Sequence, residues 1–173
     1  MDREHILHKI RTATGRSAGQ PPSHPPPTLL RVPERSPSER IQMFCAALEK
    51  LSGKTFVAES AEAAQRYVAS LVTGKRAVAS CAPILEELGI TNIEGVQAGF
   101  AGLNELRQAC AAADVGITGA DFGLADTGSL VLLASGQEPR MVSLLPPVHV
   151  AVLRRDSLLT NLDELFVTVP DLA

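Results

Sequence analysis

Residues 77–119, AVASCAPILEELGITNIEGVQAGFAGLNELRQACAAADVGITG, decide the fold. Ala77-Val78-Ala79-Ser80 reads as a strand, Ala82 to Leu88 as a short helix, and Ile93 to Val96 as a second strand. Leu103 to Ala113 then has helical spacing, and Val115 to Thr118 is apolar and β-prone before Gly119 interrupts it. Strands alternating with helices at this spacing predict parallel pairing with right-handed crossovers, because a parallel neighbour can be reached only by crossing a face of the sheet.

Upstream, Ser36 followed by Pro37 and Glu39 is a capping box with proline at the first helical position. Ile41, Phe44, Cys45, Leu48 and Leu51 fall on one face until Gly53 ends that helix. Thr55 to Ala58 reads as a strand, and Ser60 caps a helix running through Val72, with Gly74 ending it. Downstream the rhythm changes. Ser129 to Ala134 and Arg140 to Leu145 are apolar runs separated by Ser135-Gly136-Gln137-Glu138-Pro139, which predicts an antiparallel hairpin. Val148 to Leu153 is a further strand, and Asn161 to Phe166 a short helix capped by Thr160 or Asn161. The expected fold class is α/β, a three-layer sandwich with a mostly parallel sheet plus an antiparallel hairpin.

The first residues differ in kind. Residues 2 to 14 form a short amphipathic helix with Ile6, Leu7 and Ile10 on one face, and residues 17–35 form a proline-rich spacer that includes Pro21-Pro22 and Pro25-Pro26-Pro27. The expected organisation is residues 1–16 as an N-terminal helix, 17–35 as a linker, and 36–173 as the α/β domain. At 173 residues, 45% hydrophobic and 20% charged, the chain can bury a core without disulfides or a structural metal. Aromatic residues are 3% with no Trp, which argues against stacking platforms for single-stranded nucleic acid. No apolar run approaches the roughly 18 residues that cross a bilayer, and no apolar signal core follows Met1, so a cytoplasmic protein without a membrane span is expected. Residues 1 to 40 carry seven Lys/Arg against four Asp/Glu, a balance too weak to imply nucleic acid.

Cys45, Cys81 and Cys110 are scattered in apolar surroundings and read as reduced thiols; the chain cannot supply four thiolates to a cluster or zinc site. His5 and His8 are three apart without a third ligand nearby, so neither a metal nor a cofactor of the chain's own is expected.

Chemistry concentrates in Gly116 to Val131, at the carboxyl end of a predicted parallel strand, where open α/β sheets place ligands. Gly119, Gly123 and Gly128 permit close backbone approach to an anion. Asp121 and Asp126, with the hydroxyls of Thr118, Thr127 and Ser129, would surround a small anionic or carboxylate ligand. Converging carboxylates would raise one pKa toward the range useful for acid/base work. The same residues also fit a structural role, with Asp121 capping a helical turn over Phe122 to Ala125 and Thr127-Gly128 as an ordinary turn. Lysine is missing from the glycine-rich stretch and G-x-G-x-x-G is absent, so neither phosphate-loop fingerprint applies. Two prolines in Ser143-Leu144-Leu145-Pro146-Pro147-Val148-His149 hold His149 at a defined place, as a ligand-facing residue or as one satisfied by a carbonyl. Arg140 reads as an anion clamp or a solvated strand-end charge.

Ile117-Thr118-Gly119-Ala120-Asp121, Ala125-Asp126-Thr127-Gly128-Ser129 and Ser143-Leu144-Leu145-Pro146-Pro147-Val148-His149 form an ordered set that resembles the lactate utilisation protein C family, whose members carry the LUD domain. The resemblance implies a CoA transferase-like fold, shared with glucosamine-6-phosphate deaminase and ribose-5-phosphate isomerase. It also implies a role with iron-sulfur subunits of a lactate-oxidation complex that converts lactate to pyruvate. The family often has Glu where Asp126 stands, and its members usually continue with a Gly-Pro-Ser and Asp stretch and a Gly-x-His-Gly-Pro strand. A C-terminally incomplete domain is therefore expected. On this basis the chain is expected to be an accessory small-molecule-binding component. The alternative is an acyl-transfer or sugar-phosphate enzyme with Asp126 as the catalytic carboxylate, and a third reading, an interaction scaffold, rests on the spacer and the first helix.

Overall fold

A computed structural model of the chain describes residues 2–17, 19, 31–136 and 139–169. It has two compact units, 1–30 and 31–173. In the first, α1 (Arg3–Thr14) ends at Gly15, whose left-handed φ of 65° turns the chain out of the helix. His5 and His8 lie on α1, and among the described residues no group of three His, Cys, Asp or Glu could hold a metal ion. Most of the expected proline-rich linker lies outside the described residues. Arg31 already belongs to the second unit: its N–H donates to Asp163 and its carbonyl accepts from Asn161.

The second unit opens with α2 (Pro37–Lys50), and its capping box forms: Ser36 accepts from the Glu39 N–H while the Glu39 carboxylate accepts from the Ser36 N–H. Ser60 caps α3 (Ala61–Val72) through the Ala63 N–H. The alternating region then supplies β1 (Ala77–Ala79), α4 (Pro83–Glu87), β2 (Val96–Gln97), α5 (Leu103–Ala112) and β3 (Val115–Ala120). With β6 (Val148–Leu153) these strands build an all-parallel sheet in the order β2-β1-β3-β6.

The pleat sorts its side chains between two cores. Ala77, Ala79, Val115 and Ile117 face Val68, Val72, Leu85 and Ile90, which come from α3, α4 and the turn after α4. Val78 lies in a separate cluster with Leu106 and Cys110 of α5 and with Val142 of α6 (Arg140–Leu144). Helices, sheet and helices make the three layers.

A second sheet, β5-β4-β7, is built from β4 (Phe122–Leu124), β5 (Ser129–Val131) and β7 (Leu158–Leu159), with β4 antiparallel to β5 and parallel to β7. α7 (Leu162–Thr168), capped by Asn161, packs Leu165 against Leu124 and Leu159.

Several expectations differ from the structure. The strand expected over Ile93 to Val96 is displaced to Val96–Gln97, after a single helical turn at Ile90–Asn92. Residues 55–58 form no strand; Phe56 instead stacks on Tyr67 of α3, ring centroids 4.1 Å apart. Of the expected strand Arg140 to Leu145, residues 140–144 form α6 instead, because Val142 must fill the space between β3 and α5. The antiparallel hairpin is therefore β4–β5, turning at Asp126 to Gly128, and not the pair expected around Ser135 to Pro139, of which Gln137 and Glu138 lie outside the described residues. Phe122 to Leu124 is accordingly extended and not a helical turn capped by Asp121.

Candidate functional site

Thr118 and Gly119 sit in the middle of β3 and are buried, with Gly119 in register with Val152 of β6. The structure brings Thr118 and His149 together: Thr118 Oγ1 lies 2.8 Å from His149 Nε2, across the β3–β6 ladder. His149 thus finds a hydroxyl partner rather than a backbone carbonyl. The residue keeps an exposed edge, but its inner flank is shielded from water, and that desolvation lowers its pKa from the usual 6.5.

This direction gives a pH prediction. A folded-state pKa below the unfolded one means that the unfolded chain binds the proton more readily. The contribution of His149 to stability is therefore present above about pH 6.5 and is lost as pH falls through that value toward the folded pKa. His149→Gln should remove this component, so its denaturation midpoint should fall less than that of the parent chain across the same acidification. Equal slopes for the two proteins would show that the imidazole titrates as freely folded as unfolded.

Asp121 is exposed, and its carboxylate accepts the Leu133 N–H at 2.7 Å while its own N–H donates to the Val131 carbonyl. Both bonds fix the chain leaving β5. Asp126 is exposed at the end of β4, and its N–H donates to the Thr160 carbonyl. Thr127 Oγ1 donates to Ser129 Oγ at 2.9 Å within the same turn. Gly128 closes that turn with φ +70°, and a Cβ there would lie 2.7 Å from the Leu48 nitrogen, so the glycine seats the turn directly on the α2 backbone. The expected binding residues therefore occupy two places, the β3–β6 ladder and the β4–β5 turn on α2. Arg140 begins α6 and is exposed.

A cleft of about 200 Å3 opens elsewhere, at the carboxyl end of β1. Ala79, Ser80 and Cys81 form one wall, Phe100, Gly102, Leu103 and Leu106 of the α5 entry another, and Gly136, Pro139 and Val142 a third. In the order β2-β1-β3-β6 the chain's direction of travel reverses between β1 and β3, the switch point at which open α/β sheets form ligand crevices. Ser80 is pinned there by its N–H to the Ile117 carbonyl. Cys81 is half-buried at the cleft, whereas burial pushes the Cys110 thiol up. Ser80 and Cys81 carry no recognisable motif; only the sheet order, with β1 placed centrally, reveals them. A larger cleft of about 680 Å3 lies at the opposite, amino edge, between the last turns of α3 and the Ile93-Glu94-Gly95 segment.

Comparison with known proteins gives a consistent picture. A family model described as the LUD domain matches residues 41–173. Lactate utilization protein B of Shouchella clausii is 35% identical over 65 residues, 38% of this chain and 14% of that protein. Lactate utilization protein C of Halalkalibacterium halodurans is 40% identical over 52 residues, 30% of this chain and 23% of that protein. The chain thus spans only a small part of these curated relatives. The crystal structure of a DUF162 family protein from Deinococcus radiodurans shares the fold, with a TM-score of 0.66 and 21% identity over 80% of this chain and 82% of that one. No helix among the described residues is long and apolar enough to cross a membrane.

Proposed function

This chain belongs to the LUD domain family, and from that premise we propose that it is a small-carboxylate-binding component of lactate utilisation, working with iron-sulfur subunits of a lactate-oxidation complex. The observation that carries the reading is the switch-point cleft between β1, α5 and α6. At about 200 Å3 it falls below the roughly 300–1,000 Å3 of drug-sized sites and suits a metabolite of a few heavy atoms. Relatives named lactate utilization proteins B and C support the pathway. The three cysteines lie on α2, just after β1 and on α5, so electrons taken from lactate would pass to clusters held by other subunits.

The expected outcome of a thermal-shift screen of small carboxylates is stabilisation of about 2.7 kcal/mol at 100 times the dissociation constant. The same ligand should slow alkylation of Cys81 and leave Cys45 unaffected, because only Cys81 lines the cleft. A ligand that stabilises the fold without protecting Cys81 would move the site elsewhere, the Thr118–His149 pair and the β4–β5 turn being next in line. Absence of iron-sulfur subunits from anaerobic pull-downs of lactate-grown cells would sink the partner assignment.

One observation favours a second reading, acyl transfer. The exposed Asp126 carboxylate stands on a turn held by Thr160 on one side and by the α2 backbone beneath Gly128 on the other. A carboxylate so placed can attack a thioester carbonyl, forming a mixed anhydride and releasing the thiolate. Hydroxylamine trapping after incubation with acyl-CoA tests it: an Asp126 adduct abolished by Asp126→Asn supports acyl transfer, and none across a broad thioester panel ends it.

A further inference from the structure

A hydroxyl sealed inside a sheet must place its hydrogen on some acceptor, and Thr118 has one available. The residue is 0% exposed and points to the same face of the sheet as Gly116, whose register partner across the β3–β6 ladder is His149. Thr118 Oγ1 and His149 Nε2 therefore meet one step along the ladder, 2.8 Å apart. Among the described residues this imidazole is the only hydrogen-bond partner of the Thr118 hydroxyl. A neutral imidazole has one N–H and one bare nitrogen. With the hydrogen on Nε2, the ring would donate to Oγ1, and the threonine hydrogen would be left without an acceptor where solvent does not reach it, the most expensive way to leave a buried bond unmade. With Nε2 bare, Thr118 donates to it and both atoms are satisfied. The hydrogen of the neutral ring then sits on Nδ1. An imidazolium would orphan the same hydroxyl, which agrees with the lowered pKa of His149.

We propose that Thr118 is a positioning residue that holds His149 in its Nδ1–H form, so that the ring offers a neutral hydrogen-bond donor to a carboxylate oxygen. The carboxylate rests on the ligand class proposed above; the place of the ring hydrogen does not. A nitrogen whose lone pair is engaged by a buried hydroxyl is not free to take a proton from a ligand, so Nε2 is not a general base and His149 acts through Nδ1–H. The arrangement is held from both ends. Thr118 is β-branched, which limits the directions its hydroxyl can take, and Pro146-Pro147 fix the backbone just before β6.

The test uses the full chain, with nitrogen-15 in its histidine rings, followed by NMR at neutral pH. The His149 ring, identified by the signals that His149→Gln removes, should show a bare Nε2 and a protonated Nδ1, with the opposite form at least about tenfold rarer. Thr118→Val keeps the shape and removes the hydroxyl, and it should return the ring to the Nε2–H form that an unrestrained histidine favours. Thr118→Ser should restore Nδ1–H. Melting curves check that both variants are folded, and a merely structural role for Thr118 would not move the hydrogen from one nitrogen to the other. L-lactate added to the parent chain should shift Nδ1 and leave Nε2 bare. Its apparent dissociation constant in Thr118→Val should rise several-fold, by the reciprocal of the fraction still in the Nδ1–H form. A parent ring with its hydrogen on Nε2 overturns the proposal, whether or not the variants fold. So does a folded Thr118→Val that keeps Nδ1–H. L-lactate that leaves Nδ1 unmoved also overturns it, while alkylation of Cys81 in the same samples decides the cleft reading separately.

Discussion

Replacing Gly116 with alanine is expected to lower folding stability by about 3 kcal/mol, at the upper end of the range for overpacked cores. Gly116 lies in β3 in register with Val78 on one side and His149 on the other. A Cβ at this position would stand 1.9 Å from the Val142 carbonyl oxygen and 3.0 Å from Pro146 Cγ. The nearer obstacle is backbone, so no rotamer change relieves it, and α6 would have to lift from the sheet. Val142, fully buried in the cluster with Val78, Leu106 and Cys110, would move with it. Because Val142 and Pro139 also line the switch-point cleft, ligand stabilisation should fall together with the melting temperature. Gly136→Ala is the control for stability: its φ lies outside the left-handed region and its Cβ would meet nothing within 4 Å among the described residues, so a change within about 0.5 kcal/mol is expected. Urea unfolding of both variants makes the comparison. A Gly116→Ala protein as stable as the control would mean that α6 does not rest on β3.

The same contact explains what was and was not legible in the sequence. Elements set by local chemistry read well: Ser36 with Glu39, Ser60, and Asn161 each cap the helix expected of them, since a side chain and a backbone N–H three residues on decide the outcome. The parallel strands β1, β3 and β6 read well too, because their apolar runs are short and bounded by helices, whereas β2 lies at Val96–Gln97 and shares only Val96 with the strand expected from Ile93. Arg140 to Leu144 did not, since a five-residue apolar stretch has no period long enough to separate helix from strand. Its state is set by the groove that Gly116 leaves over β3, a tertiary fact. Thr55 to Ala58 failed for the converse reason: β propensity reflects packing on a pleated surface, and among the described residues the segment joins neither sheet. At the candidate site, residue types flagged Thr118 and His149 individually, but their approach depends on the β3–β6 register. The Ser80–Cys81 cleft had no signal at all, because it is assembled from three segments that meet only once β1 takes the centre of the sheet.

Removal of the Glu164 carboxylate should have the second large effect, a loss of about 2–3 kcal/mol. This is somewhat below the roughly 3–5 for breaking a fully buried pair, because both partners here keep some contact with water. Arg40 of α2 donates to the Leu158 carbonyl at 3.0 Å and pairs with Glu164 at 2.9 Å, and the second Glu164 oxygen accepts the Thr160 N–H at 2.6 Å. One carboxylate thus ties α2, β7 and α7 together beneath the turn that carries Asp126. The network has little slack, since Arg40 Nε and Thr160 Oγ1 are buried without a hydrogen-bond partner among the described residues. Burial alone would raise the Glu164 pKa, but the hydrogen bond from the Thr160 N–H and the Arg40 guanidinium outweigh it and hold the carboxyl below its usual 4.5. Its stabilising contribution is therefore present above pH 4.5 and is lost as pH falls through the folded value. Glu164→Gln should lower the urea midpoint at neutral pH and flatten the acid limb. Arg40→Met alone should cost less, because it leaves behind a carboxylate still bonded to Thr160. A double-mutant cycle on the two should return a coupling of about 1 kcal/mol or more. Additive effects would show that Arg40 and Glu164 act through separate neighbours, and the β4–β5 turn would then owe its position to Gly128 on α2 and to the β4–β7 pairing alone.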